Sequence, residues 1–173
     1  MQFNTYTAAG AHIAADLVNQ PSPHAAWLTD LLSGHDVHQA TADDAMVEDL
    51  RQWTLRLRPV FETTSAQQAT LVDALLIAAD CHPRLVSHDG LAHHLHYAPL
   101  HAPLPARVKA LTAAGLAHLI ADGAGGRLGR CGRSGCPLVF LDTSRNGRRH
   151  FCSVRCANAV NVSRYRTRHR QSG

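Results

Sequence analysis

The chain has 173 residues, 45% of them hydrophobic, and a formal net charge of +4. This length allows one domain, or a medium-sized domain with a small appendage. The apolar share excludes wholesale disorder, and the lack of any run of about 18 apolar residues excludes a membrane span. Residues 1–10 have neither the basic start nor the apolar stretch of a signal peptide, so we expect a cytoplasmic protein.

The net charge conceals a division between the two parts of the chain. Residues 1–126 carry six basic and twelve acidic side chains, a net charge of −6, whereas the remainder carries eleven arginines and one acid, Asp142, a net charge of +10. An acidic body with a basic tail indicates an anionic partner for the tail, most often nucleic acid. The alternatives are a solvated charge run and the arginine bias of a GC-rich genome.

Residues 1–122 are predicted to form a mostly helical domain. Ser22 with Pro23 is typical of an N-cap and first turn, and residues 65–68, Ser-Ala-Gln-Gln, match a capping box. With apolar periodicity, these signals predict five helices: His12 to Asn19, Ser22 to about Leu32, Asp43 to about Arg58, Ser65 to about Asp80, and Pro105 to about Asp122.

Three side chains of this domain could be core or functional groups. Trp27 and Trp53 are expected in the core, with stacking on a ligand as the alternative. Cys81 lies in an apolar stretch and is expected to be a core thiol, with a metal ligand or nucleophile as the alternative.

A histidine-rich hairpin is predicted between the last two of these helices. Asp89-Gly90 is a hairpin turn signal flanked by candidate strands. On a strand, His94 and His96 would lie on the same side. A metal site could be built here, and the simpler interpretation is an exposed hairpin; the histidines concerned are His88, His93, His94, His96 and His101.

Four of the five cysteines lie in the basic tail as two close pairs. Four residues separate Cys131 from Cys136, three separate Cys152 from Cys156, and fifteen lie between the pairs. In a cytosolic chain this spacing predicts a four-thiolate zinc site, with a disulfide or redox pair as the alternative. Four cysteine ligands make a closed structural site for one Zn²⁺, and the metal supplies folding energy that so small a segment lacks.

The tail is predicted to be a treble-clef-like zinc finger over residues 131–173, joined to the body by a glycine-rich linker at 123–130. Ser153 is a good N-cap for a helix that runs to about Arg168. Before it we expect a knuckle, a strand, a turn and a return strand, at Cys131 to Cys136, Leu138 to Leu141, Asp142 to Gly147, and Arg148 to Phe151.

Arginines of the last helix repeat at a spacing of four, Arg164 with Arg168 and Arg166 with Arg170. Like charges at this spacing repel, and a polyanion would relieve the repulsion; the alternative is a fraying, solvated helix. Two asparagines could read adenine edges or brace the finger. The residues expected to contact nucleic acid are Arg148, Arg149, Arg155, Asn158, Asn161, Arg164, Arg166, Arg168 and Arg170.

The segment 152–170, CSVRCANAVNVSRYRTRHR, resembles the end of the CGNR zinc-finger family in its C-x3-C pair and arginine-punctuated helix. Upstream, Asp16-Leu17-Val18-Asn19 is similar to the Asp-x-Val-Asn signature of the companion N-terminal domain, ABATE. The resemblance implies a bacterial stress-related transcriptional regulator with a helical N-terminal domain and a DNA-binding finger. The Cys-Gly-Asn-Arg signature that names the family reads Cys156-Ala157-Asn158-Ala159 here. Because Ala159 replaces the arginine, any contact made by that arginine is absent.

The sequence thus predicts a DNA-binding transcriptional regulator, whose body senses a small-molecule effector or forms a homodimer. The alternative is a treble-clef module for protein interaction or metal handling. We expect no enzyme. A nuclease needs a second metal near its catalytic group, and besides His150 the tail offers only Asp142 and His169.

Overall fold

The computed structural model describes residues 5–87 and 93–171, with side chains described for residues 8–87 and 93–167. Most of the chain is helical, as predicted. The helices are α1 Thr5–Asn19, α2 Ala25–Ser33, α3 Asp44–Glu62, α4 Ser65–Ala78, α5 Leu104–Ala121 and α6 Val154–Gln171. Two antiparallel strand pairs accompany them, β1 Arg84–Val86 with β2 His94–His96, and β3 Leu128–Arg130 with β4 Val139–Leu141.

Helix α3 begins as predicted and ends later than predicted. The Asp43 carboxylate accepts a hydrogen bond from the Met46 N–H at 2.8 Å, which caps the helix. A proline usually ends a helix near the preceding residue, yet α3 continues through Pro59. The last turn persists because Val60 and Phe61 are buried in the core.

The predicted caps of α2 and α4 are wrong, although α4 begins at Ser65 as predicted. Helix α2 is capped by His24, whose Nδ1 accepts from the Trp27 N–H at 3.2 Å, and not by Ser22 with Pro23. At α4 no capping box forms, because Gln68 is buried and its Nε2 donates to the carbonyl of Val60 at 3.0 Å and to that of Gly125 at 3.2 Å. A tertiary contact therefore replaces the local one. Helix α1 begins at Thr5, earlier than the sequence indicated.

Helices α1 and α5 form the closest contact in the body. A Cβ built on Gly115 would lie 2.7 Å from the Ala11 nitrogen, so only glycine allows this approach. Trp53 of α3 is 3% exposed and donates from Nε1 to Thr112 Oγ1 at 3.0 Å. Trp27 is partly buried against the same core. Trp53 is therefore a core residue, as predicted, and Trp27 lies at the edge of the core.

Cys81 lies half-buried against this core, as predicted for a core thiol. Its Sγ donates to the Ala110 carbonyl at 3.6 Å. Burial, together with the nearby Asp80 carboxylate, raises the pKa of the Cys81 thiol to about 11. The thiolate, which is the nucleophile and the metal ligand, is therefore scarce at neutral pH.

The glycine-rich segment between body and finger contains structure. Residues Gly125–Arg127 form a 3-10 turn, and β3 follows at once. β3 is the partner of β4, with Leu128 opposite Leu141 and Gly129 opposite Phe140. The predicted return strand, Arg148 to Phe151, is irregular instead. The prediction missed the pairing because glycine-rich sequence is a poor strand signal.

The two strands of the predicted histidine-rich hairpin pair with each other. β1 and β2 pair with Arg84 opposite His96 and Val86 opposite His94. The predicted turn, Asp89-Gly90, and His88 lie outside the described residues. Among the helices that the structure describes, none combines the length and apolar character needed to cross a bilayer.

Candidate metal centre and basic helix

The four cysteines come from two loops and the first turn of α6. Cys131 follows β3, and its N–H donates to the Leu138 carbonyl at 2.9 Å. The knuckle turns at Gly135, whose φ of 76° favours glycine. Ser153 Oγ accepts from the Cys156 N–H at 3.2 Å, which confirms the predicted cap of α6. The cap fixes Cys156 against the other three cysteines.

The four sulfurs converge on one point. All four Sγ atoms lie within 4.8 Å of one another. Three of the distances are 3.7 Å for Cys136–Cys152, 3.5 Å for Cys152–Cys156 and 4.0 Å for Cys136–Cys156. A tetrahedral ion with Zn–S bonds of about 2.3 Å separates its sulfurs by about 3.8 Å. The cluster therefore fits one structural zinc ion, as predicted, and all four residues are free cysteines.

The surroundings of the cluster shift the pKa values of two of its thiols in opposite directions. Burial raises the pKa of Cys131, but the backbone N–H groups of Cys152 and Arg133 and the neighbouring thiols outweigh it and bring that pKa to about 7. Burial and the neighbouring thiols raise the pKa of Cys152 to about 12. Cys156 and Cys136 raise the pKa of Arg133, whose guanidinium lies beside the cluster. Zinc would displace the remaining thiol protons on binding, and Arg133 would offset part of the negative charge of the four thiolates.

Asp142, the one acid of the tail, is used to build the loop before α6. It is 2% exposed, and its carboxylate accepts from the Ser144 N–H at 2.9 Å and from the Arg149 N–H at 2.8 Å. Burial raises the pKa of this carboxyl, but these hydrogen bonds and the charge of Arg127 outweigh it, and the pKa lies below its usual value. The loop that leads to Cys152 is thereby fixed.

Two arginines of the tail are engaged within the finger. Arg149, predicted to contact nucleic acid, donates from Nε to the Phe151 carbonyl at 2.8 Å and also bonds the Cys152 carbonyl. Its guanidinium lies 4.9 Å from the centre of the Phe140 ring. Arg127 donates to the carbonyls of Asp142 and Ser144. These two guanidinium groups brace the finger.

The other predicted contact residues lie on the surface. Every residue from 161 to 167 is exposed, so the second half of α6 stands away from the body. The structure does not group these residues into a single pocket. Those with described side chains are Arg148, Arg155, Asn158, Asn161, Arg164 and Arg166, all exposed, whereas the side chains of Arg168 and Arg170 lie outside the described residues.

Body and finger are joined through a contact that sequence reasoning missed. The Asn19 side chain, at the end of α1, donates from Nδ2 to the Val139 carbonyl at 2.9 Å and accepts from the Val139 N–H at 2.8 Å. Arg58 of α3 adds bonds to the carbonyls of Val18 and Pro137. The signal was present, because Asn19 ends the Asp-Leu-Val-Asn motif, but its partner is 120 residues away.

Comparison with known families identifies the finger. Residues 127–169 match the family model of the CGNR zinc finger. The matched range begins ahead of β3, so the CGNR finger includes the strand that sequence reasoning assigned to a linker. A comparison with curated proteins found no match. The body lies outside the matched residues, and its assignment as an ABATE domain stays a prediction.

Proposed function

We propose that this chain is a transcriptional regulator that binds DNA through the arginines of α6. The proposal rests on a difference between two sets of arginines in the finger, those bonded within it and those exposed on α6. Arg127 and Arg149 bond to backbone carbonyls within the finger, whereas Arg164 and Arg166 lie on the exposed half of a helix. Exposed arginines on a projecting helix suit the phosphates and base edges of a duplex groove.

The charge of the finger supports the same partner. A zinc ion with four thiolates has a net charge of about −2, so the tail, at +10 from its side chains, keeps a large positive charge when zinc is bound. Asp142 is already counted in that total, and its carboxylate accepts from two backbone N–H groups. Electrostatic attraction of this kind supplies most of non-specific DNA affinity.

The body is proposed to position the finger and to form a homodimer, because a single small finger contacts few base pairs. A body cavity lined by Leu17, Gln20, Trp27 and their neighbours has a volume of about 20 Å³, room for about one water molecule. A small-molecule effector needs several hundred cubic ångströms. Regulation by an effector at this cavity would therefore require α2 to move.

A protein-interaction module is the second candidate, and one observation favours it. Val154, Val162 and Tyr165 of α6 are exposed large side chains, Tyr165 at 64%. Exposed apolar groups on one element are typical of protein contacts. We propose no enzymatic activity, because a nuclease would need further ligands for a second metal and the Asp142 carboxylate already accepts from two backbone N–H groups.

Salt-dependent DNA binding tests the proposal. Zinc-loaded protein is titrated with random duplex DNA over a salt series, and a variant with Arg164→Ala and Arg166→Ala is compared with one carrying Arg56→Ala and Arg84→Ala in the body. Both variants lose two positive charges. Each phosphate contact contributes about 0.9 to the slope of log affinity against log salt, so the α6 variant should lose about 1.8 from that slope and the body variant almost nothing.

Two results would overturn the DNA proposal. Absence of binding at low salt would favour the protein-partner candidate. Equal weakening in the two variants would show that net charge alone matters and that α6 has no specific role.

A further inference from the structure

The β1–β2 hairpin brings two imidazoles of the body together. His94 and His96 are two residues apart on β2 and therefore project from the same face of the strand. Their Nε2 atoms lie 3.0 Å apart, and their ring centres are 4.9 Å apart with planes inclined at 52°. Both residues are half-buried, so their rings have restricted freedom and the pair is held close together.

This separation matches that of two nitrogens on one metal ion. With metal–nitrogen bonds of about 2.0–2.1 Å, ligands at 90° lie about 2.9 Å apart and ligands at the tetrahedral angle about 3.4 Å apart. In the metal-free protein the same distance is kept by a hydrogen bond from one ring to the other. A metal ion would take the place of the shared proton, and the donor ring would move that proton to Nδ1.

We propose that His94 and His96 form a second metal site, which binds an exchangeable divalent transition-metal ion such as Ni²⁺ or Zn²⁺. Neutral imidazole is a good ligand for these ions, and water would fill the remaining positions. The site differs from the cysteine cluster, because two ligands leave it open whereas four thiolates close the other. The net charge of −6 on residues 1–126 favours a cation there.

The positive charge of Arg84 would repel a bound metal ion, so a substitution at this position tests the proposal. Arg84 is the register partner of His96, and directly opposed residues of an antiparallel pair share a face. Its positive charge weakens cation binding, so Arg84→Gln should tighten the site. A hydrogen-bonded histidine pair without a metal role would show no such response.

Nickel binding tests the site on the untagged, zinc-loaded chain. Ni²⁺ is titrated by calorimetry into the parent, His94→Gln, His96→Gln and, as a matched control, the adjacent His93→Gln. Loss of either chelating ring should weaken nickel binding roughly a hundredfold, His93→Gln should bind as the parent does, and Arg84→Gln should bind more tightly. The zinc content, measured before and after, should stay at one ion, since nickel would not enter the cysteine cluster.

An NMR measurement on the parent protein tests the site without relying on the folding of any variant. Paramagnetic Ni²⁺ should broaden the ring signals of His94 and His96 at the lowest metal ratios. Broadening that begins at other histidines, absence of nickel binding by the parent, or unchanged binding in His94→Gln and His96→Gln would overturn the proposal.

Discussion

Replacing Asn19 by aspartate should release strand β4 from the body. The substitution preserves size and keeps an oxygen that accepts from the Val139 N–H. The Nδ2 donor becomes a carboxylate oxygen, which would face the Val139 carbonyl across the 2.9 Å now occupied by a hydrogen bond. Val139 is 1% exposed, so water cannot readily supply the lost donor.

The expected cost follows from the one group left without a partner. A buried carbonyl that loses its donor costs about 1–3 kcal/mol, and repulsion between two oxygens adds to it. We therefore expect Asn19→Asp to lower the free energy of unfolding by about 2–3 kcal/mol. Asn19→Ala should cost at least as much, because it leaves both the N–H and the carbonyl of the buried Val139 without a partner.

Urea unfolding of the zinc-loaded protein at pH 7 provides the assay. Asn161→Asp makes the same chemical change on the exposed face of α6 and serves as the control. A difference of less than about 0.5 kcal/mol between Asn19→Asp and this control, the range typical of surface substitutions, would refute the inference that Asn19 clamps β4.

Four further predictions concern the finger, the core thiol and the helix contact. Chelation of zinc should make residues 131–153 sensitive to protease while most of the far-UV circular dichroism persists, because the helical body has its own core; unchanged proteolysis would contradict a structural zinc. Asp142→Asn should cost about 1–3 kcal/mol in urea unfolding at pH 7, since an amide nitrogen would face the Arg149 N–H. Because folding lowers the pKa of Asp142, its stabilisation is present above about pH 4 and is lost as pH falls through the lowered value. Cys81, with a pKa of about 11, should react slowly with a thiol reagent at pH 8 in the zinc-loaded protein, and rapid labelling would show that the core opens there. Gly115→Ala should cost about 1–3 kcal/mol in thermal unfolding, because the new methyl group would meet the Ala11 backbone.

Features set by neighbouring residues could be predicted from the sequence. The zinc ligands and the cap at Ser153 depend on short spacings, and both predictions are confirmed. Features set by distant residues could not be predicted in this way. Gln68 has the position of a capping-box residue but bonds to Gly125, and Asn19 bonds to Val139. Strands β3 and β4 lie on either side of the knuckle and pair with each other. β3 was not predicted because it contains Gly129, and glycine is rare in strands.

Strand β4 limits how freely the finger can be exchanged between proteins. Its side chains Val139 and Leu141 belong to the same apolar cluster as the body helices, whereas the cysteines form a separate small cluster. A fragment cut at Cys131 would lose β3 and present β4 as a bare apolar edge, which is a template for aggregation. Recombination that brought in a foreign finger would need a strand complementary to α1 and α3, so body and finger are expected to be inherited as one unit.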